Sequence, residues 1–155
     1  IVVVTCSPRR AARLVLAALV TCFMLCSCVL ADGGSTLVSR EEAIAEYKKE
    51  TQTLELPPGH GWPEVPSELR EVLPESVMYE EGIGQQGAQF AWYCAWARHG
   101  LEARNQAELN RLDDFKQMRV WSHIDSVGHK LFERIQEGIS SGDLAPLREY
   151  VSNNC

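Results

Sequence analysis

The apolar residues of the C-terminal half recur at the spacing of α-helices. The first helix that they predict also carries Trp92 and Trp96 on a second side, so it is apolar over most of its circumference, which is typical of a central helix. It either ends at Gly100 or continues as far as Met118. Its first apolar side consists of Phe90, Tyr93, Cys94, Ala97 and Leu101.

A second long helix is predicted from a cleaner apolar face. Gly138 and Gly142 mark its end, and Asp143 is expected to cap a last short helix with Pro146 in its first turn. These patterns predict a mainly α fold, in which residues 88–155 form a small helical core of two long antiparallel helices with short flanking helices. The apolar face of the second helix consists of Val120, Ile124, Val127, Leu131, Ile135 and Ile139.

Two shorter segments precede this core. Residues 32–50 begin as a polar linker and continue into a short helix, because Ser39 and Glu42 form a capping box at its start. Residues 51–87 contain five of the seven prolines and five glycines, so most of this segment is expected to be an irregular loop. The loop is acidic, with seven carboxylates and one basic residue, Arg70.

Residues 1–31 have the pattern of a targeting segment. Arg9, Arg10 and Arg13 precede an uncharged run over residues 14–31, and no acidic residue occurs before position 32. Basic residues stay on the cytoplasmic side while an uncharged run enters the bilayer. At 18 residues, the run is long for a signal peptide and short for a spanning helix. We therefore expect a signal peptide, a lipoprotein signal or a membrane anchor.

Three processing outcomes compete for this segment. The sequence LCSC at residues 25–28 resembles the lipobox of bacterial lipoprotein signal peptides, and this resemblance implies that Cys28 becomes an acylated N-terminal residue. Simple secretion would follow cleavage after Ala31, because Val29 and Ala31 are side chains that signal peptidase accepts. Without cleavage, the run would remain as a single spanning helix.

Composition and charge narrow the classes of partner. The chain is 45% hydrophobic and 23% charged, which is ordinary for one globular domain. The first 31 residues hold three of the 15 basic residues and none of the 21 acidic ones, so residues 32–155 carry 12 basic and 21 acidic side chains and a formal charge of -9. A nucleic-acid partner is not expected, because phosphate binding requires a Lys/Arg-rich face.

The cysteine positions predict one disulfide. Four of the six cysteines lie in the first 28 residues, which leaves Cys94 and Cys155 as the pair in the folded domain. Two cysteines in an exported domain indicate a disulfide, and two unpaired thiols are the alternative. The early cysteines lie within the apolar run without a second pair of ligands, so no metal site is predicted there.

Candidate catalytic chemistry is weak. Glycoside hydrolysis needs two carboxyl groups flanking the scissile bond. In this chain, Trp62 would be the platform for the sugar. His123 and His129 point about 120° apart on a helix and cannot chelate one ion. No catalytic residue, metal ligand or cofactor is predicted. The carboxylates come as two adjacent pairs whose side chains diverge, Glu80 with Glu81 and Asp113 with Asp114, and the candidate ligand-facing aromatics are Trp62, Trp92 and Trp96.

These patterns favour a binding or envelope-associated module over an enzyme. We expect the domain on the extracytoplasmic face of a cell membrane, held through its N-terminal segment, with secretion as the alternative. Its expected partners are the membrane and either an envelope protein or a small ligand. Two other functions stay open at this point, a carboxylate-dependent extracytoplasmic hydrolase and a protein that binds a small apolar ligand.

Overall fold

The computed structural model describes residues 36–71, 74 and 76–155. The targeting segment, Cys28 and the three processing outcomes lie outside the described residues. None of the helices within these ranges has the length and apolarity needed to cross a bilayer. The mainly α class is confirmed. The elements in chain order are β1 (Leu37–Val38), α1 (Arg40–Thr51), β2 (Tyr79–Glu80), α2 (Ile83–Ala103), α3 (Gln106–Asn110), α4 (Ser126–Ser141) and α5 (Ala145–Asn154), with 3₁₀-helices at Ser67–Leu69, Arg111–Gln117 and Arg119–His123.

The first helix begins as predicted. The Ser39 hydroxyl accepts a hydrogen bond from the Glu42 N–H at 3.2 Å, and the Glu42 carboxylate accepts one from the Ser39 N–H at 2.8 Å. The hydrogen bond from the Ser39 backbone N–H holds the pKa of Glu42 below its ordinary value, and the Ser39 hydroxyl makes a smaller contribution in the same direction. Just before α1, β1 pairs antiparallel with β2, so the residues that lead into α1 and α2 lie side by side.

Helix α2 begins at Ile83, inside the segment that its prolines and glycines marked as a loop. Its first N–H groups are satisfied from α1, where the Glu46 carboxylate accepts hydrogen bonds from the Gly82 and Gly84 N–H groups at 2.9 and 3.2 Å. A negative group at a helix N-terminus is also favoured by the helix dipole. The helix starts early because Glu46 supplies a cap from 36 residues away.

The packing of α1 against α2 is close enough to require glycine. A Cβ atom at Gly84 would overlap the carbonyl oxygen of Ala43. The most extensive contact of α2 is accordingly with α1. Helix α1 buries Ala43 and Tyr47. The antiparallel pairing of the two long helices stays a prediction.

Helix α2 ends at Ala103, so neither predicted end is correct. Gly100 lies inside the helix, where a Cβ atom would collide with the side chain of Leu109. The chain leaves the helix through Arg104, which adopts a left-handed conformation with φ of 49°. Asn105 then caps α3 by accepting a hydrogen bond from the Ala107 N–H at 3.0 Å.

The second long helix begins later than its apolar pattern predicts. Val120 lies in a 3₁₀-helix, and α4 starts after Asp125, whose carboxylate accepts a hydrogen bond from the Gly128 N–H at 2.7 Å. Gly142 ends α4 with φ of 81°, as predicted. The N-cap position of α5 is Leu144, one residue after Asp143, and the Asp143 carboxylate accepts a hydrogen bond from the Ala145 N–H at 3.0 Å.

One aromatic and aliphatic core joins these elements. At its centre, the Tyr93 ring lies 4.7 Å from that of Phe115, 5.2 Å from that of Phe132 and 5.4 Å from that of Tyr150. Elements α2, α4, α5 and the 3₁₀-helix at Arg111–Gln117 therefore meet on one side chain. The buried members of the core are Trp92, Tyr93, Trp96, Ala97, Leu109, Leu112, Phe115, Val120, Phe132, Ile135, Ile139, Leu147 and Tyr150.

The predicted disulfide is present. Cys94, in the middle of α2, and Cys155, directly after α5, have their sulfur atoms 2.08 Å apart and their Cα atoms 5.4 Å apart. The bond holds the C-terminal end of α5 against α2.

Candidate functional site

A cleft of about 620 Å³ runs beside the disulfide and is the candidate site, here called the α2 cleft. Its floor is one face of α2, and its two walls are the loop at residues 60–70 and the end of α5 at residues 150–155. The loop runs antiparallel to α2, because its start lies near the end of that helix and its later residues lie near the beginning. His60 contacts His99 with ring centroids 5.7 Å apart. At the other end of the wall, Pro66 lies against Gly87.

Most side chains on the floor of the cleft are small, and the ring of Phe90 lines it beside them. Gly87, Ala91, Cys94 and Ala95 recur at helical spacing on the face of α2 that lies between the two walls. Larger side chains at these positions would fill the space between the loop and α5. Because Cys94 is bonded to Cys155, the disulfide also sets how close the α5 wall lies to the floor.

The charged groups of the cleft are unevenly distributed. Arg98 lies on the floor near His60, whereas Glu68 and Arg70 lie on the loop wall towards Gly87. Both Arg70 and Arg98 have exposed side chains, and neither forms an ion pair within the residues that the structure describes. One end of the cleft is therefore cationic in a domain that is acidic as a whole.

No known protein family, curated protein or solved structure matches this chain.

The two α2 tryptophans lie away from this cleft. The indole N–H groups of Trp92 and Trp96 both donate to the carbonyl oxygen of Glu55, at 2.9 and 3.0 Å, and both side chains are buried. The guanidinium carbon of Arg111 lies 4.0 Å from the centroid of the Trp96 ring. Both indoles thus hold the start of the acidic loop, and their role as ligand-facing aromatics stays a prediction.

Trp62 anchors the loop against the helices. It is half-buried and packs against the core, and its ring makes an edge contact with Tyr47, with centroids 6.4 Å apart. The Tyr47 hydroxyl donates a hydrogen bond to the Pro63 carbonyl at 2.8 Å. This contact positions the loop wall of the α2 cleft, which includes the neighbours of Trp62.

The four candidate catalytic carboxylates are exposed, and none of them lines the α2 cleft. Glu80 lies on β2, whereas Asp113 forms an ion pair with Lys116 on a 3₁₀-helix. His129 stacks on Trp121 with ring centroids 4.5 Å apart. In residues 36–71, 74 and 76–155, no three His, Cys, Asp or Glu side chains lie close enough to hold a metal ion.

Sequence reasoning missed a polar network between α1 and α2. The Glu50 carboxylate accepts hydrogen bonds from the amide groups of Gln85 and Gln89, at 2.9 and 2.6 Å. The buried Gln89 carbonyl in turn accepts one from the Val120 N–H at 2.8 Å. The i, i+4 spacing of Glu46 and Glu50 on one face of α1 was the available signal. Both side chains are used to hold α2 in place.

The tyrosines beside the cleft are strongly affected by burial. Burial, with a smaller contribution from Tyr150, raises the pKa of Tyr93 far above its ordinary range. The Tyr93 hydroxyl has no hydrogen-bond partner among the described residues. Burial also raises the pKa of Tyr150, which lines the cleft, to about 12. Both phenols are therefore neutral wherever the domain is folded near neutral pH.

Alkaline pH is expected to destabilise the domain through these phenols. The pKa of Tyr150 is about 12 in the folded protein against an ordinary value of 10.0, so the folded state holds this proton more tightly. The resulting stability is fully present below pH 10 and is lost as the pH rises towards 12. The free energy of unfolding should fall by up to about 1.4 kcal/mol per pH unit for each such tyrosine.

Urea unfolding of the wild type and of Tyr150→Phe, followed at a series of pH values, measures this loss. The variant should show a shallower decline of the unfolding free energy above pH 10, where the wild-type phenol begins to titrate in the unfolded state. Equal slopes for the two proteins would contradict the prediction.

Proposed function

We propose that the chain is an extracytoplasmic binding module held at a cell membrane by its N-terminal segment, with the α2 cleft as its binding site. The observation that carries this proposal is the disulfide between Cys94 and Cys155. Disulfides form and persist in oxidising compartments and are rare in the cytosol. A bond between the two cysteines of residues 32–155 therefore supports export of this part of the chain.

The N-terminal sequence supports the same location. Three arginines precede the uncharged residues 14–31, which is the order expected of a segment that is retained or cleaved at the membrane. Acylation at Cys28, cleavage after Ala31 and retention as a spanning helix differ in how the domain is held. Lipid anchoring at Cys28 is the form that we propose, and secretion is the alternative.

The shape of the α2 cleft supports binding over catalysis. Its volume of about 620 Å³ is in the range of small-molecule sites, and small apolar residues meet polar walls there. The four candidate catalytic carboxylates, Glu80, Glu81, Asp113 and Asp114, are exposed and lie outside this cleft. The core tryptophans are held by the Glu55 carbonyl, so a ligand is expected at the cleft floor instead.

The intact mass of natively produced protein tests the location. We expect a protein that begins at Cys28 and carries acyl chains, partitions with membranes, and gains two hydrogen atoms on reduction. Cys28→Ser should abolish acylation, so that the variant's mass contains no lipid. Cys26→Ser is the matched control, because it changes a neighbouring cysteine and keeps Cys28.

The other outcomes are distinct in the same measurement. A mass that corresponds to a protein beginning at Asp32 and carrying no lipid would indicate simple secretion. A soluble cytosolic protein that keeps residues 1–27, with Cys94 and Cys155 both open to alkylation before reduction, would overturn the proposal.

A further inference from the structure

The α2 cleft has two dimensions that suit an extended chain. Its floor runs from Gly87 to Arg98, and 11 residues of α-helix span about 16 Å. An extended peptide covers the same distance in about five residues. Between these two ends the floor combines the small side chains of Ala91, Cys94 and Ala95 with the ring of Phe90, and the small ones leave room for the side chains of such a peptide.

The walls suit a peptide better than an acyl chain. Ser67 on the loop and Ser152 and Asn153 on α5 line the cleft with hydroxyl and amide groups. Such groups can bond the N–H and C=O groups of an extended backbone, whereas a hydrocarbon chain would leave them without partners. The apolar floor then contacts the side chains of the peptide that point towards α2.

The cationic end of the cleft gives the peptide a direction. Arg98 is exposed and makes no ion pair among the described residues, and His60 lies on the wall beside it. A guanidinium group binds a carboxylate with two parallel hydrogen bonds, which makes arginine the usual partner for this group. Glu68 and Arg70 lie at the opposite end and offset each other in charge.

We infer that the α2 cleft binds the C-terminal end of a peptide of about five residues, with its terminal carboxylate on Arg98 and its apolar side chains on the floor of α2. This inference rests on the proposed binding function and names the ligand class of the same site. The group that distinguishes a bound peptide from other peptides is its C-terminal carboxylate. Removing that group, on either partner, should weaken binding.

The test uses the purified full chain, in lipid nanodiscs if it partitions with membranes and in buffer if it does not. The probe is a pool of pentapeptides composed of Ala, Val, Leu and Ser with free C-terminal carboxylates, compared with the same pool as C-terminal amides. Bound peptides are identified by mass spectrometry, and the dissociation constants of the enriched ones are measured by calorimetry. Decanoate is added as a competitor that has a carboxylate and no peptide backbone.

We expect the carboxylate peptides to bind at least ten-fold more tightly than their amides. Arg98→Gln should weaken the carboxylate peptides about ten-fold and remove the difference between the two pools. Arg148→Gln, which removes an exposed arginine of α5 outside the cleft, is the matched control and should change neither. Ala91→Trp should block both pools by filling the floor.

Three results with the peptides, and a fourth with decanoate, would overturn the inference. The first three are no enrichment from the carboxylate pool, equal affinity of carboxylate and amide peptides, and binding unaffected by Arg98→Gln. Displacement of the peptides by decanoate at equal concentration would assign the cleft to an acyl carboxylate instead. All of these results concern the ligand alone, because the location is tested separately by the intact mass and the membrane partitioning.

Discussion

Replacing Cys94 and Cys155 together by alanine is expected to lower the free energy of unfolding by about 4 kcal/mol. The two residues are 61 positions apart, so the disulfide removes the conformational entropy of a long loop from the unfolded chain. In the folded state the bond also holds α5 against α2, beside the buried Tyr150 and Leu147. Its loss should therefore reach the core and widen the α2 cleft.

Denaturant unfolding with and without reductant measures this contribution. The wild type should lose about 4 kcal/mol when dithiothreitol is added, and the double variant should have the reduced wild-type stability in both conditions. The double variant has no Cys94–Cys155 bond, so any effect of dithiothreitol on its stability would have to come from other cysteines. Equal stability of the oxidised wild type and the double variant would contradict the prediction.

Substituting alanine for Gly84 is expected to cost about 2–3 kcal/mol of unfolding free energy. In an open helix the same change would stabilise the protein by up to about 1 kcal/mol, because alanine has the higher helix propensity. At Gly84 the added Cβ would overlap the Ala43 carbonyl oxygen and lie 2.8 Å from the Tyr47 nitrogen. Both atoms are backbone atoms of α1, so relief requires the two helices to separate and the Glu46 cap to weaken.

The matched control for this substitution is Gly61→Ala. A Cβ atom at Gly61 meets nothing within 4 Å, and this glycine is not in the left-handed region. Its unfolding free energy should stay within about 0.5 kcal/mol of the wild type. Thermal and urea unfolding of both variants measure these changes in unfolding free energy. A Gly84→Ala protein more stable than the wild type would show that α1 does not pack closely against α2.

The two glycines show why local sequence could place some elements and not others. Gly84 looks like a loop residue when read with the nearby prolines, but it lies in the first turn of α2 because Glu46 caps that turn from α1. Nothing local to residues 82–87 signals this cap. By contrast, the start of α1 was predictable, because Ser39 and Glu42 satisfy each other within four residues.

The candidate site divides in the same way. The disulfide was predictable from the cysteine positions, because the expected removal of residues 1–31 leaves one pair. Arg98 and His60 gave no signal, since they lie 38 positions apart and line one cleft only because the loop runs back along α2. The pattern of Trp92 and Trp96 is ambiguous, because an aromatic pair four residues apart suits a buried anchor as well as a ligand surface.

By itself, the sequence determined the mainly α class, the capping box of α1, the glycine end of α4 and the pairing of Cys94 with Cys155. Each of these depends on residues close together in the chain or on a pairing with few alternatives. Only the tertiary structure decided where α2 begins, which helix packs against it, and that the disulfide, His60 and Arg98 border one cleft. The physical reason is that these features depend on contacts between distant segments, and such contacts form only when the apolar faces of the helices are buried together.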